Sequence, residues 1–428
     1  MQLATGGLSP SVLGRLRAAA CVLLASGAPA IAHADAGATT KVDASLLVYG
    51  EQNRAKVTEP TARLTRLFPD GQTLSAQLGI DVITGASPTG ALPSGVDSVG
   101  PPQTYTTPSG NVVTVPPPPP DRIPLAPFKD TRVALDGSWF KPLGPLTSTI
   151  GGNFSREKDY QSLGGNAKVS LDLMHRLTTL TLGAGLNHDS VFPVGGTPVG
   201  LSAGGLPLSR AHDPKQVVSG MAGLSRILTR RWMMAVSGTR MREQGYLTEP
   251  YKVLSILDPA TGHSVGQLTE KRPSTRNRTD VLGSSVYHLT RDLVYVSYRY
   301  YWDDWSVRSH TLDLKYRHAL PGEAYLEPHV RFYSQTAASF FRSGLVQGDP
   351  IPEYATSDDR LGSLRTGTIG ATVGFRVPEY PGEWTVRAEY IGQFGNRHPG
   401  DVVGVQRQYD LFPTLNIGTL VVGYSITF

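Results

Sequence analysis

Charged residues recur at even spacing along this 428-residue chain: Arg132 with Asp136, Lys168 with Asp172, Asp313 with Lys315 and Arg317, Glu327 with Arg331, Arg387 with Glu389, and Arg299 in a run of its own. Residues two or four apart in an extended segment share one face. The chemistry on offer is that of a wet face of mixed sign, which admits or excludes ions. Its small excess of Arg and Lys favours anions by field rather than by a specific site. Catalytic patterns find no support. His175, His188, His288, His310, His318 and His329 stand singly, and neither G-x-S-x-G nor H-E-x-x-H occurs. The chain reads as a non-enzyme with no cofactor and no resident metal.

Two further clusters carry alternatives. In "RYYWDDW", Arg299 to Trp305, the carboxylates Asp303 and Asp304 are of a type that binds calcium, but an interfacial aromatic girdle ending in a tight turn is the favoured reading. In "EKRPSTRNR", Glu270 to Arg278, the residues Lys271, Arg272, Arg276 and Arg278 form either a site for lipopolysaccharide phosphates or a solvated basic patch.

The elements that must hold these residues are strands. In "LGGNAKVSLDL", Leu163, Gly165, Ala167, Val169, Leu171 and Leu173 alternate with Gly164, Asn166, Lys168, Ser170 and Asp172. "TLSAQLGIDV", Thr73 to Val82, repeats the pattern. Such alternation demands one greasy and one wet sheet face. Polar faces this rich in charge suit the lumen of a barrel whose outside meets lipid. Very short turns, such as Pro69-Asp70-Gly71 and Thr290-Arg291, alternate with connections that are mostly long: 84–129, 190–213, 244–273, 341–361 and 395–413. Seven turns and eight outer loops give an all-β, transmembrane antiparallel barrel of about sixteen strands. Fourteen is the alternative, because Pro60 interrupts the second candidate strand and cannot donate to a ladder.

The termini supply a compartment. Arg15 and Arg17 precede the apolar stretch Ala18 to Ile31 and an A-x-A pattern at Ala32-His33-Ala34, so residues 1–34 read as a signal peptide and 35–428 as the barrel. The only cysteine, Cys21, falls inside that leader. Without Arg15 and Arg17 the formal charge of +5 becomes +3, too slight to argue for nucleic acid. At the other end "LVVGYSITF" presents a terminal strand in which Tyr424, Ile426 and Phe428 share the greasy face, the form of a signal for barrel-insertion machinery. The expected surroundings are outer-membrane lipid and lipopolysaccharide.

The longest loop, Thr84 to Lys129, contains Pro116 to Pro120, an extended polyproline rod that stiffens a lid over the mouth. Asp130 and Arg132 stand at its end as a latch that anchors it to neighbouring strands.

The segments "DVITGASPTGA", "PLAPFKDTR", "SREKDYQSLG", "TTLTLG", "GYLTEPYKVLS", "RYYWDDWSVRSHT" and "VRFYSQTAASFF" together resemble the bacterial family catalogued as domain of unknown function 3570, over nearly the whole mature chain. The resemblance implies an outer-membrane location and brings no catalytic residues. It also implies a link to periplasmic redox or protein maturation. Two classes of function follow: a porin-like channel for a small solute with its mouth restricted by the 84–129 loop, or a closed scaffold barrel that binds a periplasmic or surface protein partner.

Overall fold

The computed structural model describes residues 38–95, 103–106, 112–115, 121–202 and 208–428. The expected leader with Cys21 and the run Pro116 to Pro120 lie outside these residues. Sixteen strands form one closed barrel. They are β1 (Thr39–Glu51), β2 (Lys56–Leu67), β3 (Thr73–Pro88), β4 (Leu125–Leu143), β5 (Leu146–Arg156), β6 (Tyr160–Leu173), β7 (Thr178–Val191) and β8 (Asp213–Thr229). The circuit continues with β9 (Trp232–Gly245), β10 (Thr275–His288), β11 (Leu293–Asp303), β12 (Arg308–Ala319), β13 (Tyr325–Gln335), β14 (Leu364–Val377), β15 (Tyr380–Gly395) and β16 (Leu415–Thr427). Each pairs antiparallel with its neighbours, and β16 returns to β1 through register partners such as Ala44 with Tyr424 and Val42 with Ile426. Closure leaves no barrel edge, the condition for a sheet to lie in lipid without orphaned backbone groups.

The sixteen-strand count holds, and the reason is visible at Pro60. The β1 ladder runs through Leu46 and Pro60 without interruption. On the other side, pairing passes from Thr58–Val82 directly to Thr61–Gly79 in unchanged register. A missing N–H thus opens the ladder locally but cannot shift it, because a slip of one residue would turn every side chain to the wrong face.

Two boundaries differ from the sequence expectation. Strands β3 and β4 continue beyond Thr84 and Lys129, which are themselves cross-strand partners, up to Pro88 and Leu125. The loop between them carries a short hairpin, Gln103–Thr106 against Val112–Val115. Strand β13 stops at Gln335, six residues before the expected Phe341, because the Gln335 side-chain amide donates to the carbonyls of Arg360 (3.0 Å) and Gly362 (2.6 Å). Residues 336–341 therefore belong to an outer loop, where Ala338 and Phe340 are buried.

The outward face is apolar and uncovered. Leu163 is 59% exposed, Leu182 56% and Ile369 64%, with Leu78, Leu135, Ile150, Val236, Leu312 and Val330 equally bare. Exposed aromatics gather at the turn end (Phe68, Trp139, Trp232, Tyr287, Tyr316) and at the loop end (Phe154, Trp302, Phe394). At about 25 cal/mol per Å² of apolar surface, such a belt is strongly unfavourable in water and favourable in hydrocarbon. Leu182 lies near the middle of β7, so Leu182→Arg is expected to destabilise the barrel by about 2–4 kcal/mol in lipid vesicles. Denaturant unfolding in those vesicles measures it, and a cost near zero would contradict a lipid-facing Leu182.

Candidate functional site: a roofed cavity in the lumen

Inward residues of the strands are mostly polar or small, apart from a buried apolar cluster of Tyr49, Val57, Ile83, Phe128, Leu415 and Ile417, and on β10 to β13 they form ion pairs across adjacent strands. Arg276 on β10 reaches the Asp303 carboxylate (2.8 Å from Nε) at the end of β11, which also accepts the Tyr301 hydroxyl (2.7 Å). Arg278 donates to Glu243 on β9 at 2.7 Å, and Arg299 faces Asp280 at 3.7 Å. Nearer the turns, Asp313 on β12 accepts from Arg331 (2.8 Å) and contacts His329 (3.1 Å), whose other ring nitrogen lies 2.9 Å from Glu389. Arg387 lies 3.9 Å from Glu389, and Arg317 donates to Glu327 at 2.7 Å.

The residues expected to line a pore thus share the inward face, but most are spent on one another. Arg132 pairs with Asp81, its register partner on β3. Asp172 accepts the Thr179 hydroxyl at 2.7 Å. Asp136 and Lys315 keep inward parity and make no close ion pair among the described residues. Arg299 and Lys168 border a cavity of about 400 Å³ inside the barrel. Lys168, on β6 at the border of the same cavity, makes no ion pair or hydrogen bond among the described residues. The cavity has room because Gly183 and Gly185 occupy inward positions on β7.

Loops close this cavity on the outer side. Its lining includes Tyr246 to Tyr251 and Arg272 from the 246–274 loop, and Asp358, Arg360 and Leu361 from the 336–363 loop. A knot of charge clamps these two loops together. Glu270, fully buried, pairs with Arg272 (2.6 Å) and accepts from the Glu249 N–H (2.6 Å) and the Thr356 hydroxyl (2.5 Å). Arg272 and Arg360 both reach Asp358, at 2.7 and 2.5 Å, and Arg360 extends to Glu249 at 3.2 Å. Burial pushes the Asp358 carboxyl up, but Arg360 and Arg272 overturn that and hold it well below the usual carboxylate range. Asp358 therefore stays ionised, whereas burial pushes the Glu270 carboxyl up.

Apolar contacts extend the roof. Trp305, Val307, Ala338, Phe340 and Leu361 form one buried cluster, with Trp305 edge-on to Phe340 and beneath the Arg276 guanidinium. Leu92, Leu257, Val402 and Leu411 form another, joining the loops after β3, β9 and β15. Polar ties run beside it: Leu92 N–H to Ser255 Oγ at 2.9 Å, and the Gln406 amide to the Pro93 carbonyl at 2.7 Å. Gly90 sits at φ +88°, and a Cβ there would fall 2.2 Å from Ser357 Oγ, so this junction admits only glycine.

These contacts revise several expectations. "EKRPSTRNR" is no solvated basic patch, since Arg272, Arg276 and Arg278 are committed to internal carboxylates. Asp303 is saturated by Arg276, Tyr301 and the N–H groups of Trp305 and Val307, which leaves nothing for calcium. In the same motif Trp302 lies in the outer girdle, whereas Trp305 turns into the loop core. Of the two latch residues, Arg132 joins β4 to β3, but Asp130 turns away toward the tight loop Glu157 to Asp159. Tyr424 and Ile426 lie in the closing β16–β1 pair, and Phe428, 71% exposed, exchanges both backbone hydrogen bonds with Thr40.

The arrangement is that of a closed barrel with a lumenal chamber under folded loops. A family model described as "Protein of unknown function (DUF3570)" matches residues 13–426, and the chain belongs to that family. Among curated proteins nothing matches. Solved structures similar to the chain include CdiB from Acinetobacter baumannii, at TM-score 0.47 and 8% identity, covering 90% of this chain and 60% of that one. Others are OpdK from Pseudomonas aeruginosa (TM-score 0.39, 9% identity, 91% of this chain and 99% of that) and OccK3 (OpdO) from the same organism (0.41, 10%, 91% and 96%). The chain spans less than two thirds of CdiB. At these values the similarities say nothing of function, and the barrel stands on its own ladder.

Arg360→Met leaves Asp358, 2% exposed, short of its main partner, a loss of about 3 kcal/mol for a buried pair broken on one side. The expected outcome is faster proteolysis of the 336–363 loop with the barrel core still resistant. Unchanged cleavage would show that the knot does not hold the roof.

Proposed function

We propose that this chain is an outer-membrane barrel that passes a small polar solute through a chamber closed on the outer side by its loops. The observation that carries the reading is the cavity of about 400 Å³, which strand residues and loop residues line together. A volume in this range suits one small ligand rather than a stream of hydrated ions. The apolar belt and its two aromatic girdles support membrane insertion. The lid expected of the 84–129 loop falls in part outside the described residues. Its described start, residues 89–95, packs on the other loops, while those after β9 and β13 reach the lumen.

Selectivity follows from pairing. Most lumenal arginines are neutralised by adjacent carboxylates, so their field in the chamber is weak, and Lys168 supplies the uncompensated charge. The solute class favoured is therefore small and anionic or hydroxyl-rich. In planar bilayers Lys168→Glu is expected to shift the reversal potential in a salt gradient toward cations, more than Arg331→Glu does. No shift for Lys168→Glu would place Lys168 outside the permeation path.

Chamber width gives a separate test. A Cβ at Gly183 would meet nothing closer than the Ala167 carbonyl at 3.6 Å and Met221 Cε at 3.7 Å, so Gly183→Leu fits the wall and projects into the cavity. It is expected to reduce single-channel conductance severalfold in a barrel that still folds. If neither the wild type nor the roof-loosened Arg360→Met conducts, the chain is a closed scaffold.

A further inference from the structure

Apart from the chamber's ion pairs, one buried group of carboxylates is built differently. Asp130 near the outer end of β4 converges with Glu157 and Asp159 in the tight loop between β5 and β6. All three are buried, and one carboxylate oxygen from each lies within 4.8 Å of the others. Asp130 is 5% exposed; its Oδ1 accepts the adjacent Thr131 N–H at 2.7 Å, and its Oδ2 has no hydrogen-bond partner among the described residues. Neighbouring Asp189 shows the contrast: Tyr160, Ser162 and Lys215 satisfy it entirely. A buried carboxylate oxygen left without a donor is costly unless something positive occupies the space beside it.

We propose that Asp130, Glu157 and Asp159 bind a divalent cation, calcium by class. Oxygens on one calcium ion lie within about 5 Å of each other, twice its bond length of roughly 2.3–2.6 Å, and the trio meets that limit. The donors are all carboxylates, a hard set that suits calcium and disfavours zinc or copper. The ion has a structural consequence. Tyr251 of the 246–274 loop donates its hydroxyl to Asp159 at 2.8 Å, so the cation pins β4, the tight loop and one wall of the roof at a single point. Sequence reading took Asp130 for a loop latch and expected no metal; the ion makes it a latch of another kind.

Terbium is a calcium probe sensitised by nearby tyrosine, and Tyr160 and Tyr251 lie beside the site. Purified full barrel in detergent, stripped with EDTA, is titrated with terbium and then with calcium. The expected result is saturable luminescence that calcium displaces, with affinity lowered about tenfold or more in Asp130→Asn and Asp159→Asn. Gel mobility with and without heating confirms that each variant is folded, and Glu157→Gln replaces any that is not. Luminescence that is absent, or equal in wild type and folded variants, overturns the proposal.

Discussion

The knot of Glu270, Arg272, Asp358 and Arg360 is the interaction on which the rest of the mouth depends. It joins two loops separated by the four strands β10 to β13, and it does so where both loops border the chamber. Two buried carboxylates without their arginines would be intolerable, and the two partly exposed arginines are held to them by short pairs. Each loop therefore has one place to sit. The apolar clusters around Trp305 and Leu257 add area, but they do not by themselves fix which loop meets which.

Beneath the roof, the barrel imposes the complementary constraint. A closed ladder satisfies every strand's backbone, so the inward side chains are free to be polar, and alternation sends the leucines and valines outward. The lumen then settles its own electrostatics by short pairs between adjacent strands, Arg317 with Glu327 and Arg331 with Asp313. What is left unsettled stands out by contrast. Lys168 lines the chamber without a counter-ion among the described residues, and the glycines at 183 and 185 on the adjacent strand keep the space beside it open.

Strands were legible because their rule is local. Period two over ten residues identifies a wall strand without knowledge of its neighbours, and even Pro60 changed only two ladder pairs. Trp302 is the last outward residue before the strand ends at Asp303, and Trp305 lies in the turn beyond it, a distinction that the girdle reading of "RYYWDDW" does not draw. The roof was not legible, since Arg272 and Asp358 stand 86 residues apart and no periodicity links irregular loops. The same holds for Asp130 and Glu157, whose nearness depends on the β4–β5 register and the tight turn that follows. The basic run at Glu270 to Arg278 looked like surface because charge density in sequence does not report burial.

The most direct test uses the absence of cysteine from residues 35–428. Lys168→Cys places a single thiol within residues 35–428, on the chamber wall. In intact cells, a small charged methanethiosulfonate is expected to modify it from outside, while a polymer-linked maleimide is not; loosening the roof with Arg360→Met is expected to admit both. Equal modification by both reagents with the roof intact would make the barrel an open pore. Protection from both, with or without the roof, would contradict a chamber that solutes enter.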